Sequence, residues 1–144
     1  MAHGDGLVVR VDTFVGARFA RTVLVPSDAT SVTIRRTVRS FQQHARPPRT
    51  SVRTITDATA VADLVGMLNG LPGAMTTPFV ASCPAAVSER SYSMNFATPH
   101  GSYVATMPTT MCWPQLTLAH DGVKADPPLD PGQHFTKVAD KYLR

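Results

Sequence analysis

The residues able to carry acid–base, nucleophilic or metal chemistry are few and scattered. The five histidines are His3, His44, His100, His120 and His134, and none stands three or four residues from another. No helical turn can therefore set two imidazoles side by side as an HExxH zinc motif does. His100 and His120 each fall in an expected turn at a strand end, where the strands could bring them together and His120-Asp121 could offer a ligand pair. Glu89, the single glutamate, lies between Ser88 and Arg90 and reads as a solvated charge; acid–base work needs a positioned partner that the sequence around it does not supply. Serine, histidine and aspartate are plentiful, yet there is no GxSxG elbow, no P-loop and no GxGxxG. No catalytic residue, metal ligand or cofactor is assigned on these grounds. A small hydrolase or metal-dependent enzyme built on His100, His120 and Asp121 stands as an alternative.

The two cysteines carry a different kind of information. Cys83 and Cys112 are too few to complete a four-ligand zinc site and too far apart for a redox CxxC pair. Cys83 follows a proline-containing loop and Cys112 lies at the far end of an expected hairpin, so a meander can bring the two into register. The expectation is a Cys83–Cys112 disulfide, which in the chain-entropy model stabilises a loop of this size by about 3–4 kcal/mol. Two buried, reduced thiols are the cytoplasmic alternative. A disulfide places the chain in an extracellular or cell-envelope setting. Trp113, next to Cys112, either packs over the sulfurs or anchors a partner.

Charge is unevenly distributed. Through residue 53 the chain has nine arginines against three aspartates, whereas the remainder has five basic and seven acidic side chains. The basic surface thus belongs to the N-terminal third, and the expected ligand-binding residues are Arg35, Arg36, Arg39, Arg46 and Arg49, with Trp113 as an added anchor. A protein or an acidic envelope polymer fits such a patch. Nucleic acid fits on charge alone, but no aromatic platform is interleaved with the arginines as RNA-binding sheets require. No apolar run approaches the ~20 residues of a membrane span. Residues 1–6 lack the basic-then-apolar pattern of a signal peptide, so export implies a leader outside this sequence.

Elements that could position these residues follow from periodicity. With 43% apolar and only 17% charged residues the chain should bury a core, and its 12 prolines should keep elements short. One domain over residues 1–144 is expected, of α+β class, mainly an antiparallel sheet with one central and one C-terminal helix. Residues 7–15 and 18–25 read as strands joined by Gly16-Ala17, and residues 31–41 as a strand whose alternation breaks at Arg35-Arg36, marking a bulge or its end. Residues 42–50 form the expected mobile loop, and 51–55 a short strand. Val61, Leu64, Val65, Leu68 and Leu71 make one helical stripe, capped by Thr56 or Asp57 and ended by Gly70 and Pro72. Residues 90–96 alternate Tyr92, Met94 and Phe96, turn at residues 98–101 and return over 102–107. A third strand, 115–119, closes at Asp121-Gly122. Asp130, Pro131 and Gln133 predict the start of a last helix that buries Phe135, Val138, Ala139, Tyr142 and Leu143.

The run TITDATAVADLVGMLNGLP, followed by SCP, then SYSMNF and GSYV, then Cys112 and a terminal helix, resembles an uncharacterised domain of actinobacterial secreted proteins and lipoproteins. The resemblance covers roughly residues 50–144. It implies a helix start at Thr56-Asp57, a helix end at Asn69-Gly70-Leu71-Pro72, a Cys83-Pro84 step, a strand from Tyr92 through Phe96, and a partner for Cys83 in Cys112. It supplies a fold and a compartment, not a chemistry. Together these readings lead to a non-enzymatic envelope or extracellular binding module that uses an arginine-rich N-terminal sheet. A disulfide-stapled proteinase inhibitor is a further alternative.

Overall fold

A computed structural model of the chain describes residues 23–42, 46–74, 87–108, 115–125 and 127–144. Among these, six strands form one antiparallel sheet: β1 (Ser31–Ser40), β2 (Arg49–Ile55), β3 (Ser88–Thr98), β4 (Gly101–Pro108), β5 (Thr117–His120) and β6 (Val123–Lys124). Their order across the sheet is β2-β1-β3-β4-β5-β6. Helix α1 (Ala58–Gly70) follows β2, and α2 (His134–Tyr142) ends the chain. The α+β class, with a central and a C-terminal helix on an antiparallel sheet, is as the periodicity indicates. No described helix is long and apolar enough to cross a membrane. No disulfide occurs among the described residues; Cys83, Cys112 and Trp113 lie outside them, as does the expected Gly16-Ala17 hairpin.

Alternation sets the two faces of the sheet, because successive side chains of a strand point to opposite sides. Val32 and Ile34 of β1, Tyr92, Met94 and Phe96 of β3, and Tyr103, Ala105 and Met107 of β4 are buried on the inner face. Register aligns these into rows that change character along the strands. The first row runs Ile55–Val32–Phe96–Tyr103–His120, and the next Arg53–Ile34–Met94–Ala105–Leu118. A third runs Ser51–Arg36–Tyr92–Met107, and the last Arg49–Val38–Arg90. The outer face is mostly hydroxyls, with Thr33 bonded to Thr54 and Thr37 to Thr50 across β1 and β2 at 3.0 and 3.1 Å.

Helix α1 buries Val61, Leu64, Val65 and Leu68 of the expected stripe, and its fifth residue, Leu71, is buried just past the helix as its C-cap. Of the two candidate caps, Asp57 takes the role: its Oδ1 accepts from the Ala60 N–H at 2.9 Å. Phe135 and Ala139 of α2 are fully buried in the same core. The backbone of Leu129 exchanges both hydrogen bonds with Leu116, and Asp130 N–H donates to Pro72 O at 2.8 Å, so the approach to α2 is tied to the exit of α1.

Four local expectations change. β1 pairs one-to-one with β3 from Ser31 to Ser40, so there is no bulge at Arg35-Arg36; Arg36 simply occupies an inward position. β2 begins at Arg49, taking Arg49 and Thr50 from the expected loop of residues 42–50, and residues 23–25 carry no strand. α2 begins at His134, beyond the expected start, because Gly132 adopts φ +49° and the Asp130 carboxylate accepts from Gly132 N–H in a turn rather than capping the helix.

Candidate interaction surface

The five arginines expected to bind a ligand do not share one face. Arg35 and Arg39 point outward from β1, Arg36 points inward, Arg49 opens β2 on the inner side, and Arg46 lies in the β1–β2 connection. Parity along the strands decides this division, since an odd position of β1 faces solvent wherever Val32 and Ile34 face the core.

Arg36 is committed to the fold. Its Nη1 donates to Asp140 Oδ1 of α2 at 2.9 Å and its Nη2 to Ser51 Oγ at 3.5 Å. The Tyr92 hydroxyl reaches the same carboxylate, at 3.2 and 3.3 Å from its two oxygens. Burial raises Tyr92 above its ordinary 10.0, and the neighbouring Asp140 charge adds to the rise, because a phenolate there would face a carboxylate. A carboxylate near a helix C-terminus is disfavoured by the helix dipole; the Arg36 guanidinium offsets it. Arg53 is committed too: its Nη1 donates to the carbonyls of Tyr142 and Arg144, at 3.0 and 3.3 Å, and caps the last turn of α2.

Arg35, Arg39, Arg46 and Arg49 are exposed and form no ion pair among the described residues. Glu89 is the register partner of Arg39 on β3. Arg39, Arg46 and Arg49 gather where β1 ends and β2 begins, with Arg90 in the row of Arg49; Arg35 stands further along β1, behind Val52. The sheet is thus basic at one end.

The opposite end holds the two histidines. The β3–β4 and β5–β6 turns lie side by side, so His120 Nε2 stands 3.0 Å from His100 O and 3.4 Å from Asp121 Oδ2. The His120 ring stacks on Tyr103 with centroids 4.2 Å apart, and His100 Nε2 is 3.2 Å from Asp28 Oδ2. Asp121 Oδ1 meanwhile accepts from Ser102 N–H at 2.9 Å. The expected approach of the two turns is present, but the contacts are imidazole–carboxylate pairs on an open surface. Among the described residues no group of three His, Cys, Asp or Glu side chains could hold a metal ion, and no hydroxyl bonds to either imidazole.

Sequence reasoning missed Asp140 and Asn69. Asp140 carried a signal: it is the one acid in the cationic last turns of an expected helix. Asn69 does more than end α1. Its Oδ1 accepts from Val25 N–H at 3.0 Å and its Nδ2 donates to Val25 O at 2.8 Å, holding the segment before β1 onto the helix. No family model, curated protein or solved structure matches this chain.

Proposed function

We propose that this domain is a non-enzymatic binding module of the cell envelope or extracellular space, whose basic sheet end engages an acidic protein or an acidic envelope polymer. The observation that carries this reading is the division of labour among the arginines. Arg36 and Arg53 secure α2, whereas Arg35, Arg39, Arg46 and Arg49 stand exposed with no ion pair among the described residues. The envelope or extracellular compartment, like the resemblance of residues 50–144 that led to it, is part of the proposal. A Cys83–Cys112 disulfide, with Trp113 beside it, belongs to the same proposal.

Binding to poly-glutamate, followed against salt, tests the reading. Affinity should fall steeply with ionic strength, and the fourfold change of Arg35, Arg39, Arg46 and Arg49 to Glu should abolish it. Salt-independent binding, or binding unchanged in that variant, would remove the proposal. Non-reducing mass spectrometry of exported protein tests the compartment: free thiols at both cysteines would overturn it.

A further inference from the structure

β2 is the longer of the two edges of the described sheet. It spans seven residues and, among the described residues, pairs with β1 on one side only. At about 3.3 Å per residue it offers an edge of roughly 23 Å along which every second N–H and C=O points away from β1. The other edge, β6, has two residues and follows directly on a tight Asp121-Gly122 turn.

Edge strands are ordinarily guarded by bulges, prolines or charges. β2 has neither bulge nor proline: its pairing with β1 is one-to-one from Arg49 to Ile55. Of its two charges, Arg53 is folded onto the carbonyls of Tyr142 and Arg144 at the end of α2. The outward row, Thr50, Val52 and Thr54, is neutral and β-branched, and Val52 is 50% exposed. Only the Arg49 end carries free positive charge, reinforced by Arg46 just before it.

We propose that the edge of β2 receives an extended acidic peptide as an added antiparallel strand. Its main chain pairs along Thr50–Thr54, its β-branched side chains lie beside Val52, and its carboxylates meet Arg46 and Arg49. Antiparallel pairing, the rule throughout this sheet, puts those carboxylates at the C-terminal end of the peptide. This inference rests on the acidic-partner reading above and names the partner and the manner of its capture.

The test is fluorescence anisotropy with a short threonine–valine peptide bearing two C-terminal glutamates, compared with the same peptide N-methylated at alternate residues. Methylation blocks main-chain pairing but leaves the charges. Strand addition predicts a loss of about tenfold or more on methylation, and a similar loss for Arg46→Glu with Arg49→Glu. Amide exchange at residues 50–54 should slow on addition of the unmethylated peptide alone. Equal binding of the two peptides would overturn strand addition while leaving the acidic-partner reading intact. If charge reversal leaves both the peptide and poly-glutamate bound as before, both proposals fall. Val52→Lys, on the exposed row, should weaken the peptide without weakening poly-glutamate; loss of neither overturns the placement on β2. Dimerisation of the protein alone through this edge, seen by sedimentation, would also overturn it in favour of a second copy.

Discussion

Arg36 and Asp140 stand 104 residues apart in sequence and 2.9 Å apart in space, and their contact ties the last helix to β1. Both side chains are about 30% exposed, so the pair is screened only in part. Tyr92 completes the cluster from β3. One carboxylate therefore gathers β1, β3 and α2.

Asp140→Asn removes the charge while keeping the shape. It leaves the half-buried guanidinium, whose Nε already has no partner among the described residues, without its counter-ion. A stability loss of about 1–3 kcal/mol is expected by urea denaturation. The same substitution in an Arg36→Met background should cost less, since the two residues act as one unit. Equal losses in both backgrounds would show that the contact is not coupled.

Tyr92 makes stability sensitive to alkali. Its folded value lies above the unfolded 10.0, so the folded state holds the phenolic proton more tightly. The resulting stability is fully present below 10.0 and is lost as pH rises through the higher folded value. Denaturation midpoints measured across that window should fall in the native protein. They should fall less in Tyr92→Phe, which has no proton to lose.

Asn69→Ala takes both backbone partners from Val25, a residue that is itself buried. About 1–3 kcal/mol of destabilisation is expected. Amide exchange at Val25 should accelerate more than exchange in β3. Uniform acceleration across both would mean that the segment before β1 is not held separately.

Gly101→Ala should be costly for two reasons. Gly101 sits at φ +117°, and an added Cβ would lie 2.5–2.9 Å from the Asp121 carboxylate. A loss of about 1–3 kcal/mol is expected. Adding Asp121→Ser relieves the contact but not the backbone strain, so recovery in thermal unfolding should be partial. Full recovery would assign the whole cost to the contact.

Much of the frame was legible in the sequence because its signals are local. The stripe from Val61 to Leu68 needs only helical period, and Tyr92, Met94 and Phe96 need only alternation. Two turns at the same end of antiparallel strands were enough to bring His100 near His120. The start of α2 was misplaced because Asp130, Pro131 and Gln133 satisfy helix-start chemistry, while Gly132 at positive φ places them in a preceding turn. Arg36 was harder. Its even position on β1 already implied an inward direction, yet a cation facing the core looked like a break in register. Only its distant partner, Asp140, makes that position comfortable, and no local pattern could name it.

The rows of the inner face carry a consequence for dynamics. They pass from Ile55–Val32–Phe96–Tyr103, all buried, to Arg49–Val38–Arg90, where no residue is. Local opening is easiest where few apolar contacts resist it, so the sheet should unzip from its arginine end while its histidine end holds. The end that carries the free charge is then also the end that a partner can order, and protection gained there would mark binding without any change in the core.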